Sequence, residues 1–305
     1  MKINSICGLA LLGVTAAAVA ARRSSGAPRI DTSNLSGSTA VVTGGGSGIG
    51  RSLAMLLAQR GARVHVADLD GPSAEAVAGA VRAAGGDAVA HAVNVADAAS
   101  VARFADGVFA DGPVDLLFNN AGVGHAGAVA DTTLEDWRRL IDVNLLGVVH
   151  GLHAFLPRLL AQDRPAQIVN TASMAGLVPV PGLAAYSATK AAVVGLTDAL
   201  DIELRGTQVR VCALCPGVIN TAIISTSTMR GDWAQRQART VELYAKRGTS
   251  PDVVARQALA GVTRGRTIVP TPRYQVVPHW LLKRASPRAG RAVSVAASRY
   301  LTRSQ

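Results

Sequence analysis

The stretch "YSATK" at residues 186–190 sets a phenol, Tyr186, and an ammonium, Lys190, four positions apart in an alanine-rich, helix-like segment. Positions i and i+4 share one face of a helix, so the two groups stand a turn apart. A free phenol has a pKa of about 10, too high to exchange protons readily at neutral pH. A neighbouring ammonium favours the phenolate and lowers that value. The pair could therefore run general acid/base chemistry on a substrate oxygen. The spacing alone is common, and a half-buried phenol beside a solvated lysine explains it equally well. The rest of the chain must decide.

A glycine-rich stretch, "VVTGGGSGIG" at 41–50, offers a second kind of chemistry, the binding of phosphate. Gly44, Gly48 and Gly50 are spaced G-x-x-x-G-x-G, one residue wider than the usual dinucleotide fingerprint, with Ser47 and Ile49 among them. Glycine is needed where the chain turns sharply and where backbone must approach a phosphate. The start of the following helix presents unpaired N–H groups and a partial positive charge. Asp68 stands 18 residues beyond Gly50, closing the next apolar run. A carboxylate there accepts hydrogen bonds from an adenosine ribose and repels a 2′-phosphate. Leu69, Asp70 and Ser47 bring no compensating cation, although Arg51 lies in the first helical turn. The pattern favours NAD(H), with NADP(H) as the second choice.

Both constellations need elements that end near one another. "STAVVT", "ARVHVAD", "GDAVAHAVNV", "VDLLFNN", "AQIVNTAS", "QVRVCAL" and "RTIVP" read as strands. Between them, helices are predicted from the glycine turn to Gly61 and over 72–84, 98–110, 133–160 and 183–204, with 218–247 irregular to helical. Apolar strands alternating with helices argue for the α/β class, a doubly wound parallel sheet, Rossmann-like, covered on both faces. No composition break or repeat divides it. The expectation is one catalytic domain, 31–270, between a hydrophobic leader, 1–30, and a basic C-terminal tail, 271–305.

The chain of 305 residues is 49% hydrophobic but only 4% aromatic, so its core must be built from small aliphatic side chains. Its net charge of +11 is concentrated late. Ten basic residues and no acidic one follow Asp252. Such a tail suits an anionic surface. Its mixture of arginine with apolar residues fits a membrane surface better than nucleic acid, for which interleaved aromatics are few. The leader is uncharged from Ile6 to Ala21, short for a full span, and ends in an "AVA" that resembles a cleavage site. Arg22, Arg23 and Arg29 outnumber Lys2 across it, which keeps the body in the cytoplasm. An anchor or surface helix is expected, with export after signal cleavage as the alternative. Cys212 and Cys215 lie three apart on a predicted strand and so on opposite faces, as core thiols and not a bridge or metal pair. The six histidines show no metal-ligand spacing, and no metal is expected.

Six motifs, in order and spacing, resemble those of the short-chain dehydrogenases/reductases: "TGGGSGIG" at 43–50, "NNAG" at 119–122, Asn144 in "DVNLLG", "NTASMAG" at 170–176, "YSATK", and "CPGVINT" at 215–221. The resemblance covers Ser38 to about Pro270. It implies that Tyr186 is the general acid/base, that Lys190 and the positive nicotinamide of the oxidised cofactor lower its pKa, and that Lys190 holds the nicotinamide ribose. Ser173 would steady the substrate oxygen, and Asn144 would position a water behind the lysine. Asn120, Ala121 and Gly122 would line the adenosine side of the cofactor, while Pro216, Gly217, Val218 and Thr221 would close over its nicotinamide end. Where the family has Asp-Val after the third strand, this chain has Asn94-Val95. Asparagine both donates and accepts, so it can still meet an adenine edge. The family also implies a homo-oligomer formed through the long helices.

Substrate selection is expected from a flap after Val218, where "AIISTSTM" is apolar and rich in hydroxyls, and from an apolar wall of Leu177, Val178, Val180 and Leu183. A small hydrophobic alcohol or carbonyl compound fits that lining. The rival from another class is a dinucleotide-binding sensor or scaffold at a membrane surface that has lost catalysis. Such a protein would be expected to lack the tyrosine or lysine, and here both stand.

Overall fold

The computed structural model describes residues 28–303, with side chains described as far as residue 296. The apolar leader and the Ala21 cleavage signal lie outside the described residues. In chain order the elements are β1 (Thr39–Thr43), α1 (Gly48–Gln59), β2 (Arg63–Asp68), α2 (Gly71–Ala83), β3 (Asp87–Ala92), α3 (Ala98–Ala110) and β4 (Leu116–Asn119). A short β5 (His125–Ala126) precedes α4 (Leu134–Ile141) and α5 (Gly147–Ala161). Next come β6 (Ala166–Thr171), α6 (Met174–Leu177), α7 (Ala184–Glu203), β7 (Val209–Pro216) and the short β8 (Thr228–Met229). The chain continues through α8 (Asp232–Gln235), α9 (Gln237–Arg247), α10 (Pro251–Thr263), β9 (Ile268–Thr271), α11 (Arg273–Ala285) and α12 (Pro287–Arg303).

Seven strands form one parallel sheet in the order β3-β2-β1-β4-β6-β7-β9. This is the doubly wound, Rossmann-like sheet that the alternating pattern predicts. The order reverses beside β1, the place where such sheets bind ligands beyond their strand C-termini. Alternate strand residues point to opposite faces, and the core divides accordingly. Val42, Val66, Phe118 and Leu214 pack with α1, α2 and α10 on one side. Val41, Leu117, Ile168 and Ala213 pack with α3, α5 and α7 on the other. Cys212 falls in the first layer and Cys215 in the second, both buried thiols.

Local chemistry moves several predicted boundaries. The third strand stops at Ala92, short of the predicted Val95, because Asn94 folds the chain back: its Oδ1 accepts from Ala96 N at 3.1 Å, and its carbonyl accepts from Asp97 N. The long helix predicted over 133–160 is two helices. A capping box between Thr133 and Asp136 starts α4, and a π-turn, Asp142–Leu146, joins it to α5. Pro157 sits inside α5 without ending it. Finally, β9 runs one residue past the expected domain end at 270, and what reads as a basic tail folds into α11 and α12. Val276 of α11 is fully buried against the second core layer.

Candidate active site

At the C-terminal edge of the sheet, β6 ends at Thr171 and Ser173 follows two residues later. Ser173 Oγ accepts from Ala175 N at 3.1 Å, capping the short α6, and the serine lies near enough to the Tyr186 hydroxyl to favour its ionised form. Tyr186 and Lys190 occupy successive turns near the start of α7. Lys190 is buried. Its Nζ lies over the Tyr186 ring, 5.8 Å from the ring centre, and donates to Thr171 O at 2.9 Å. Phenol and ammonium therefore share a face, as their spacing predicts, and the serine stands beside the phenol.

The expected electrostatics need correction. The protein's own groups do not lower the phenol: burial pushes Tyr186 up to about 12, against the pull of Ser173. Burial likewise pushes Lys190 down to about 8. Desolvation disfavours either charged form, and the ammonium meets the face of the ring. Any lowering of the phenol requires a further positive charge in the site.

Asn144 sits in the π-turn and is fully buried. Such turns interrupt helices mostly at functional sites. Its Oδ1 accepts from Val123 N at 2.8 Å, while Nδ2 donates to Val123 O at 3.0 Å and to Thr189 Oγ1 at 3.4 Å. The side chain thus fixes the strand-like segment after β4. A Cβ on Gly122 would stand 3.1 Å from Asn144 Oδ1 and 3.4 Å from Lys190 Nζ, so these residues meet around that glycine.

The glycine loop is held against the other predicted cofactor residues. Gly44, at φ +63°, lies so close to Ala121 that a Cβ would come within 2.7 Å of its Cα, and a Cβ on Gly50 would collide with Gly44 O. A Cβ on Gly48 would meet Thr221 Cγ2 at 3.1 Å. Asn120 Nδ2 donates to Thr43 O and Gly44 O at 3.0 and 3.2 Å. Asp68 Oδ2 accepts from Gly46 N at 2.9 Å, linking the end of β2 to the loop. Ser47 precedes α1 without a side-chain cap, and no acidic residue lies in that helix's first turn. The first N–H groups of α1 are thus left for an anion. These features fit a dinucleotide: pyrophosphate at the start of α1, adenosine ribose at Asp68. Asn94 is exposed beside the end of β3, and Val95 packs beneath it against Gly147.

Pro216 ends β7, and Gly217 N donates to Thr271 O at 2.8 Å. Thr221 is half-buried beside Gly48. The flap beyond it is tied at its far end, where β8 pairs with β5. Arg230 binds Asp136 through two bonds of 2.9 Å and holds that carboxyl well below the usual range. Leu177 and Val178 are buried, Val180 and Leu183 half-buried, and Trp233 of α8 lies against Gly182. Sequence reasoning misses Thr43, whose Oγ1 accepts from Asn120 N and Ala121 N at 3.0 and 3.1 Å. It also misses Trp233, Asp136 and Arg230, and Gln275, which accepts from Val218 N at 2.9 Å. Thr43 stands inside a motif quoted above; the others carry no local signal. His150 Nδ1 meets Val95 O at 2.8 Å, and His65 and His91 meet each other at 3.0 Å.

Fold and site together have the form of an α/β domain that fits a dinucleotide at the C-terminal edge of its sheet. The family model for short chain dehydrogenase matches residues 38–230, and the chain belongs to the short-chain dehydrogenases/reductases. It is 37% identical over 236 residues to "Probable oxidoreductase EphD" of Mycobacterium tuberculosis, covering 75% of this chain but 40% of that protein. This chain thus spans less than half the length of that relative. To cyclohexanol dehydrogenase of an Acinetobacter species it is 39% identical over 201 residues, 65% of this chain and 79% of the other. A short-chain dehydrogenase/reductase from Burkholderia phymatum, solved with NAD, superposes at TM-score 0.78 with 32% identity, covering 84% and 95% of the two chains. A metagenomic member solved with NADP superposes at TM-score 0.64 with 34% identity, covering 77% and 98%.

Proposed function

We propose that this protein interconverts a small apolar alcohol and its carbonyl compound, using NAD(H) in preference to NADP(H). The observation that supports it most is the convergence of Ser173, Tyr186 and Lys190 beside an uncapped helix N-terminus. A bound dinucleotide supplies the hydride acceptor or donor and, when oxidised, a positive ring. The substrate oxygen sits between Ser173 and Tyr186. In the oxidative direction Tyr186, once ionised, takes the hydroxyl proton as the substrate's hydride leaves for the dinucleotide, while Ser173 donates to the developing carbonyl oxygen. In reduction the same proton returns to the oxygen. Lys190 orients the nicotinamide ribose.

The half-buried Val180 and Leu183, with Trp233 beside Gly182 between them, favour an apolar substrate over an anionic one. Asp68 favours NAD(H): among the described residues it forms no ion pair, and Leu69 next to it is 73% exposed. A screen of NAD(H)- and NADP(H)-linked turnover against apolar alcohols and ketones tests both parts. Activity confined to carboxylate-bearing substrates would sink the substrate class.

For location we infer association with an anionic membrane face. Tyr274 and Leu281 are 72% and 55% exposed on α11, among the exposed Arg273, Arg284, Arg288 and Arg291. That mixture suits the headgroup region. Exposed Val149, Leu160 and Ile202 on α5 and α7 support self-association through the long helices, which analytical ultracentrifugation would detect.

A further inference from the structure

Three residues separate β9 from Gln275, and α11 sends that side chain back into the body. Gln275 Oε1 accepts from Val218 N at 2.9 Å. Its Nε2 lies 3.2 Å from Thr249 Oγ1 and 3.3 Å from Tyr274 Oη, both as acceptors. Thr249 completes the hold: its N donates to Val218 O at 3.0 Å, and its O accepts from Asn220 N at 2.9 Å. Gly217 is fixed between β9 and this amide, because its N bonds Thr271 O and a Cβ on it would stand 2.5 Å from Gln275 Oε1. The next residue, Val276, is fully buried, so the start of α11 is anchored.

Within the Pro216–Val218 turn, Val218 N therefore finds its acceptor 57 residues further along the chain. We propose that Gln275 is a positioning residue, setting this turn for the nicotinamide half of the dinucleotide. The proposal rests on the reading above that the turn closes over that half. Removing the acceptor leaves a part-buried N–H unpaired, which costs more than the bond contributes net, so the turn shifts until Val218 N finds another partner. The adenosine half is built from Gly44–Gly50, Asp68 and Asn120–Gly122, and none of the Gln275 contacts reaches them.

The test is equilibrium binding of NADH, and of ADP-ribose, which lacks the nicotinamide, to the full chain. Gln275→Ala should weaken NADH by about 5- to 30-fold and leave ADP-ribose within about 2-fold. Gln275→Glu keeps an acceptor oxygen and should bind NADH within about 3-fold of the parent. Should Gln275→Ala not fold, Gln275→Met, which fills the same space beside Gly217 without an acceptor, gives the same comparison. Equal weakening of both ligands, or unchanged NADH affinity, overturns the proposal. A parent chain that binds neither ligand would overturn the dinucleotide reading itself.

Discussion

Tyr186 and Lys190 both resist carrying charge, the phenol held up to about 12 and the ammonium down to about 8 by burial. At neutral pH the phenol thus keeps its proton. Tyr186→Phe retains the ring and removes only the titrating hydroxyl. Turnover should fall by at least about 100-fold, the loss expected for a general acid/base, while NADH affinity stays near that of the parent. Substantial activity in the pure, folded variant would refute the assignment. Lys190 yields a pH prediction with a fixed sign. Its folded value near 8 lies below its ordinary 10.5, so between those values the unfolded chain binds more protons. Raising pH through that window favours the folded state. The melting temperature of the parent, relative to Lys190→Met, should therefore climb from pH 8 to pH 10; a constant gap would show that Lys190 is not desolvated. Tyr186 acts in the opposite sense, but only above pH 10, where its unfolded phenol begins to ionise.

Between elements, the site depends on side chains that tie the end of one strand to the loop of another. Asp68 at the end of β2 holds Gly46 of the β1–α1 loop. Asp68→Ala should lower NAD affinity by about 10-fold through loss of that bond and a ribose acceptor, and should narrow the preference over NADP by removing repulsion. Steady-state kcat/KM with both cofactors measures this, and a parent preference for NADPH would overturn the reading of Asp68. Arg230→Ala frees β8 from Asp136 of α4, so KM for the substrate should rise with kcat changed less; an unaltered KM would show that the flap is placed without it. How much the chain reveals in advance follows from reach. The strands, the glycine loop, and Ser173, Tyr186 and Lys190 are legible because their signals are runs, spacings and motifs. Thr43 was visible but unassigned, since its role is to accept from Asn120 N and Ala121 N across the sheet. The Asp136–Arg230 pair spans 94 positions and the Gln275–Val218 bond 57, and no local pattern marks either. The phenol's proton affinity misled for another reason: charge proximity is visible in spacing, whereas the depth of burial is not.

Over the whole molecule, the sheet places its candidate site at one edge, and the later elements β9 and α11 reach the same edge. Lys283 of α11 donates to Leu177 O at 2.7 Å, so this helix touches the apolar wall as well as the Pro216–Val218 turn. The exposed arginines of α11 and α12 should make membrane attachment partly electrostatic and screened by salt, with any contribution of the apolar leader surviving it. The full chain should sediment with anionic vesicles even in high salt, and a chain beginning at Asp31 only in low salt. Recovery of the mature protein outside the cell with an N-terminus near Ala21 would refute the cytoplasmic placement. The arrangement of β9 and α11 also bears on biosynthesis. Chains emerge from the ribosome N-terminus first and domains fold as they emerge, so the glycine loop, Asp68, Ser173, Tyr186 and Lys190 are all made before the strand and helix that complete the sheet's far edge. A nascent chain can hold every residue of the proton-transfer site and still lack the brace on its cofactor turn. On the proposed reading, competence to bind the whole dinucleotide would follow the synthesis of the proton-transfer residues and not accompany it.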